Sequence, residues 1–163
     1  MPDVERLAED LLGLLETKRL KLVVAESCTA GLLSLKLSDA PGASTYFNGG
    51  FVTYSKEQKT SALDVSPGLL REQGAVCGDV AREMAQGALR RSTADLAAAI
   101  TGVAGPEPDE DGNPVGRVCI AVARRGGATE VIERYYGNRE REEIRACAIA
   151  DTLGALTAVV SNQ

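Results

Sequence analysis

The run Leu20-Lys21-Leu22-Val23-Val24-Ala25 has the length and content of a short buried strand. It passes through Glu26-Ser27-Cys28-Thr29-Ala30-Gly31 straight into an apolar helical stretch, Leu32 to Leu37. A strand that turns into a helix this abruptly exposes its turn side chains at the top of a sheet. It also aims free backbone N–H groups outward. A chain built on such a unit layers helices on a sheet, and the rest of the sequence keeps the alternation.

Leu7, Leu11, Leu14 and Leu15, with acidic residues and Arg6 between them, predict a helix over residues 3–18. Pro41-Gly42 breaks the chain, and Phe47 to Tyr54 reads as a strand entered near Gly49-Gly50. Lys56 to Leu63 is a short helix. Ser66-Pro67 starts another that Gly74 ends. A longer helix covers Asp79 to Arg91, with Val80, Met84 and Ala88 inside. Leu96 to Thr101 is a buried strand, Pro106 to Pro114 a polar loop, and Val118 to Ala123 with Glu130 to Tyr135 a hairpin. A last helix spans residues 139–160, with Ile144, Cys147, Ala148, Asp151 and Ala155 on one side. Early strands separated by helices and late strands in a meander predict an α/β chain. The expected architecture is a three-layer α/β/α sandwich with a mixed β-sheet, in one domain over residues 1–163.

Composition narrows the chemistry. The chain has no histidine, so Ser-His-Asp and Cys-His catalysis and imidazole bases are ruled out. Proton transfer falls to a carboxylate, Lys, Tyr, Cys or water. The four cysteines, Cys28, Cys77, Cys119 and Cys147, form no CxxC pair, so neither a metal nor another cofactor is expected. Dispersed thiols without a secretory segment read as cytoplasmic. A net charge of −5 and 4% aromatic residues disfavour nucleic acid, and no apolar run of membrane-spanning length stands out.

Three strand ends carry suggestive residues. At the first, Ser27 or Thr29 caps the following helix, or Ser27 is a nucleophile beside backbone N–H donors; Cys28 is a rival nucleophile. At the second, Tyr54-Ser55-Lys56-Glu57-Gln58-Lys59, the lysines form a solvated face, or Lys59 and Tyr54 supply the missing base. At the third, Thr101-Gly102-Val103-Ala104-Gly105-Pro106 is an ordinary turn or a close approach to a phosphate or sugar. Arg141 and Arg145, one helical turn apart, clamp a phosphate or pair with nearby glutamates. Asp109 to Asn113 lacks the spacing of a calcium loop and reads as a solvated turn.

Several stretches together resemble the CinA C-terminal domain family, whose members include nicotinamide mononucleotide deamidases. They are AESCTAGLL (25–33), YFNGGFVTYSKEQK (46–59), GAVCGDVAREMAQGA (74–88), AITGVAGP (99–106) and NPVGRVCIAVA (113–123). The resemblance implies an α/β/α fold and amidohydrolase chemistry, converting nicotinamide mononucleotide and water to nicotinate mononucleotide and ammonia. Carried over, the serine nucleophile falls on Ser27, the tyrosine on Tyr54 and the lysine on Lys59. The amides of Cys28, Thr29, Ala30 and Gly31 would hold the oxyanion. Gly49, Gly50, Gly102 and Gly105, beside Thr101, would line the substrate, and Arg141 and Arg145 would meet its phosphate.

The chain resembles the stand-alone form, without the nucleotide-pyrophosphatase domain that many CinA proteins carry. A homodimer or larger homo-oligomer is expected. The alternative is a non-catalytic nucleotide-binding or competence- and damage-related regulatory protein of the same fold. Three positions depart from the family pattern. Ala30 replaces a glycine, Lys56 an asparagine, and Glu107-Pro108-Asp109-Glu110-Asp111 a glycine run. The acidic loop is expected to alter access for a phosphorylated ligand.

Overall fold

The computed structural model describes residues 1–162. Helix α1 (Val4–Lys18) opens on Asp3, whose carboxylate accepts from the Arg6 amide at 3.1 Å. There follow β1 (Leu22–Glu26), α2 (Leu32–Ser38), α3 (Ala43–Tyr46), β2 (Phe47–Val52) and α4 (Lys56–Leu63). Then come α5 (Pro67–Gln73), α6 (Gly78–Arg90), β3 (Leu96–Gly102), β4 (Arg117–Arg124), β5 (Thr129–Tyr135) and α7 (Arg141–Ser161). The addition to the expected order is α3, a single turn behind Pro41-Gly42, where the sequence shows only a break.

The sheet runs β2-β1-β3-β4-β5. β1 lies parallel to both β2 and β3, whereas β3–β4 and β4–β5 are antiparallel. The connections dictate this: helical crossovers return the chain in the same direction, and the short turn between β4 and β5 reverses it. All five residues of β1 are buried, as befits an inner strand with helices on both faces.

Alternation along the strands divides the core. Leu22, Val24, Ala98, Ile100 and Ile120 pack toward α1, α2 and α7. Val23, Ala25, Ala97, Ala99 and Ala121 pack toward α4, α5 and α6. The result is a three-layer α/β/α sandwich with a mixed sheet. Alanines on the second face let α6 sit close, with Val80, Ala81, Met84, Ala85 and Ala88 turned inward.

The inner face of α7 is rotated from the expected one. Ile144, Ala148, Ile149, Thr152, Leu153 and Leu156 are buried, whereas Cys147, Asp151 and Ala155 are only half-buried. The reason is polar: Asp151 accepts a hydrogen bond from Tyr136 Oη at 2.6 Å and one from Arg134 Nε at 3.2 Å, at the helix flank. α7 is also long and apolar enough to cross a membrane, contrary to the expectation from sequence. Its apolar residues instead join the core under the sheet.

Candidate active site

The carboxyl ends of β1, β2 and β3 meet at one edge of the sheet, the place where ligands bind in open α/β folds. Ser27 follows β1 directly and its amide donates to the Ile100 carbonyl of β3 at 3.0 Å. The Thr53 amide, just beyond β2, donates to the Glu26 carbonyl at 2.8 Å. Ser27 is thereby fixed between the two neighbouring strand ends.

Glu26 does the capping that sequence gives to Ser27 or Thr29. It is fully buried, and its carboxylate accepts four hydrogen bonds. Thr29 Oγ1 lies at 2.6 Å, the Leu33 amide at 2.9 Å, the Ser34 amide at 2.9 Å and Ser34 Oγ at 2.7 Å. The N-cap position of α2 is Gly31, whose own side offers no cap. Glu26 thus satisfies the orphan amides of α2 from inside the sheet. With its lone pairs committed, Glu26 is a structural group and not a base for water. Ser27 is free of capping duty. The amides of Cys28, Thr29 and Gly31 donate to no carbonyl among the described residues, while that of Ala30 donates to the Ser27 carbonyl at 3.1 Å. Ala30 takes φ 49°, a left-handed conformation that costs a side chain about 1 kcal/mol and a glycine nothing.

Lys59 enters from α4. Ser55 caps that helix, accepting from the Gln58 amide at 3.0 Å, and Lys59 projects from its first turns. The lysine is fully buried. Its Nζ lies 2.7 Å from Ser27 Oγ and donates to the Thr53 carbonyl at 2.6 Å. Burial pulls its pKa from 10.5 down to about 8, and the charge of Lys56 pushes the same way. An opposing influence comes from Cys28. That thiol is itself pushed up to about 11 by burial, against the nearby charges of Arg145 and Lys59. Cys28 is protonated at neutral pH, so it is not the rival nucleophile that its place before a helix suggests.

Ser27 and Lys59 open onto a cleft of about 490 Å³. Cys28, Tyr54, Thr101, Gly102, Gly105 and Arg141 also line it. The expected Thr29, Ala30, Gly31, Gly49, Gly50 and Arg145 do not. Gly49 and Gly50 lie within β2, beside Arg91 and Ser92 in a separate depression. Gly50 is small because Ser34 stands where its Cβ would be. Thr101 Oγ1 donates to the Ala75 carbonyl at 2.7 Å, and Gly102 leaves room for Val118 and Cys28.

The two arginines tie turns together. Arg145 Nε donates to the Cys28 carbonyl at 2.8 Å, bracing the turn after Ser27. Arg141 donates to the Gly105 carbonyl and, through its other terminal nitrogen, to Tyr54 Oη at 3.0 Å. Tyr54 is 60% exposed, and among the described residues no hydrogen bond joins it to Ser27 or Lys59. The structure therefore brings Tyr54 to Arg141 at the rim and not to the dyad on the floor.

Two participants are not legible as site residues. One is the Thr53 carbonyl, which orients Lys59 and carries no side-chain signature. The other is Lys56, which reaches across the cleft mouth to Glu110 and Asp111, at 3.0 Å from each. Only the opposite charges of the two segments hint at that pairing.

The chain has known relatives. The CinA C-terminal domain family matches residues 4–160. The CinA-like protein of Geobacter sulfurreducens is 45% identical over 146 residues, covering 90% of this chain and 33% of that protein. The CinA-like protein of Chlorobaculum tepidum is 43% identical over 144 residues, 85% of this chain and 34% of its own. The chain thus spans about a third of the length of the curated relatives it matches. Among solved structures, the competence/damage inducible protein CihA from Agrobacterium tumefaciens superposes with a TM-score of 0.94 at 38% identity. That match covers 100% of this chain and 98% of the other. A CinA superfamily protein from Klebsiella pneumoniae gives 0.94 at 31% identity, covering 99% and 100%. With its fold, its motifs and these relatives in agreement, the chain belongs to the CinA C-terminal domain family.

Proposed function

We propose that this chain is an amidohydrolase that deamidates nicotinamide mononucleotide to nicotinate mononucleotide and ammonia. The observation that carries the reading is the 2.7 Å approach of Lys59 Nζ to Ser27 Oγ on the floor of the cleft, in a chain without histidine. A serine hydroxyl needs a base before it can attack a carbonyl, and a buried lysine near its neutral form is one. With a pKa of about 8, roughly a tenth of Lys59 is neutral at pH 7.

In that form Lys59 keeps one N–H on the Thr53 carbonyl and turns its lone pair to Ser27. Lys59 takes the Ser27 proton as Oγ bonds to the carboxamide carbon. The free amide of Cys28, the one residue of the turn from Cys28 to Gly31 that lines the cleft, serves the developing oxyanion, and one such donor contributes about 3 kcal/mol. The Lys59 ammonium then protonates the departing nitrogen, the C–N bond breaks, and ammonia leaves an ester on Ser27. Water attacks that ester while Lys59 takes its proton, and the proton returns to Ser27 Oγ as the acid departs. Arg141 and the glycine turn after β3 stand at the rim for the remainder of the substrate.

The test is ammonia release from nicotinamide mononucleotide by the wild type and by Ser27→Ala. The expected loss is at least about a thousandfold. Equal rates would remove Ser27 as the nucleophile.

A further inference from the structure

Two of the three departures from the family pattern meet in space. The loop between β3 and β4 folds across the mouth of the cleft and is held on both sides. Asp109 Oδ1 accepts from the amides of Asp111, at 3.0 Å, and Asn113, at 2.7 Å, which fixes the bend. Asp111 Oδ2 accepts from the Ala75 amide at 3.4 Å. Gly74 permits that approach, since a Cβ there would lie 2.7 Å from Asp111 Oδ2. On the other side Lys56 Nζ lies 3.0 Å from Glu110 Oε1 and 3.0 Å from Asp111 Oδ1. The two arms differ. The Asp111 side chain is 27% exposed and held from two directions, whereas the Glu110 side chain is 75% exposed and held by Lys56 alone.

We propose that the Lys56–Glu110–Asp111 bridge is a specificity element, which sets how much negative charge the cleft accepts on the part of a substrate remote from the amide. Lys56 lines the same cleft as Ser27 and Lys59 and pairs with two carboxylates of the acidic loop. While both carboxylates hold it, an incoming phosphate meets a neutralised ammonium beside further acids, Glu107 and Asp109. A phosphate oxygen gains Lys56 only by replacing the loosely held Glu110. The two halves of the bridge therefore act on an anionic substrate with opposite signs. Glu110→Gln leaves Lys56 available to phosphate. Lys56→Gln leaves two carboxylates without their partner, facing it. A bridge that merely held the loop in place would move both variants in the same direction.

The inference takes its substrate series from the amidohydrolase reading, and its test separates the two. Nicotinamide riboside and nicotinamide mononucleotide differ by the phosphate, so the ratio of their kcat/KM values isolates its effect. Relative to wild type, Glu110→Gln is expected to move that ratio about fivefold toward the nucleotide, and Lys56→Gln about fivefold away from it. Both shifts shrink in 0.5 M salt. Calorimetric affinities for the same two compounds, measured on a Ser27→Ala background, give the ratio without turnover. Opposite shifts in affinity with no ammonia release in any protein would keep the charge element and overturn the amidase reading. A ratio unmoved in both variants, a shift of the same sign in both, or no binding of either compound would overturn the charge element.

Discussion

Lys59 Nζ lies 2.7 Å from Ser27 Oγ across 32 residues of sequence, and the lysine is fully buried on the floor of the cleft. The strand end supplies the hydroxyl and a separate helix supplies the amine. α4 packs on α6 and α6 on β1, so the pair depends on that tertiary stacking and not on any local motif. Its burial also sets the pH behaviour of the site.

The rate of ammonia release is expected to rise with pH through an apparent pKa of about 8, because the active form of Lys59 is the neutral one. The measurement is kcat/KM between pH 6.5 and 9.5. Lys59→Ala should lose both the activity and the limb. A limb near 6.5 that persisted in Lys59→Ala would exclude this base, since the chain holds no imidazole to account for it.

The same buried amine makes stability depend on pH. In the unfolded chain Lys59 titrates at its ordinary 10.5, and in the fold at about 8. Below 8 it is charged in both states and the fold bears the full burial cost, about 3 kcal/mol. Between 8 and 10.5 the unfolded chain holds more protons, so that cost falls as pH rises. The Tm of the wild type, compared with Lys59→Met, should therefore gain about 5 °C between pH 7 and 9.5. A constant difference across that range would mean that Lys59 titrates normally.

Much of the fold was legible in the sequence because its signals are local. The apolar run from Leu22 to Ala25, the Ser66-Pro67 start and the turn after Arg124 each act over a few residues. The dyad partners, Ser27 and Lys59, were legible as residue types on strand-end turns, and family resemblance singled them out. What escaped depends on side-chain reach. Glu26 takes the cap that Ser27 and Thr29 are equally suited to, because its carboxylate is long enough to reach the Leu33 and Ser34 amides from the strand. Arg141 and Arg145 reach backbone carbonyls and not the nearby glutamates, which only the approach of α7 to two turns decides. Gly49 and Gly50 sit inside the strand read for them but away from the cleft where the resemblance puts them, and Gly50 leaves the space that Ser34 of α2 takes.

The position of α4, and with it Lys59, depends on one glycine of α6. A Cβ on Gly87 would overlap the Leu63 carbonyl, with the carbonyl carbon at 2.9 Å, and Leu63 is the last residue of α4. Backbone cannot rotate away as a side chain can, so Gly87→Ala must push the helices apart. The expected cost is about 2 kcal/mol of stability. Displacing Lys59 by about 1 Å should also lower kcat by on the order of a hundredfold, read as ammonia release at a temperature where the variant is folded. Gly154→Ala, where a Cβ meets nothing within 4 Å, is the control. It should be neutral or stabilising by up to about 1 kcal/mol and leave kcat unchanged. A Gly87→Ala enzyme with wild-type kcat would mean that the dyad tolerates movement of α4.

Tyr54 is the residue on which resemblance and geometry part. Resemblance places it beside Ser27 and Lys59, and a phenol there could relay the proton. In the structure its hydroxyl accepts from Arg141 at 3.0 Å, on an exposed ring at the rim. Removing that hydroxyl takes one acceptor from Arg141 and nothing from Lys59, which keeps Ser27 Oγ and the Thr53 carbonyl. Tyr54→Phe should therefore act on binding: KM for nicotinamide mononucleotide rises about threefold, while kcat stays within about twofold. The rising pH limb should stay at its wild-type position. A Tyr54→Phe enzyme whose kcat fell a hundredfold, or whose limb moved by a full pH unit, would restore the relay. The hydroxyl would then have to leave Arg141 for the dyad during turnover.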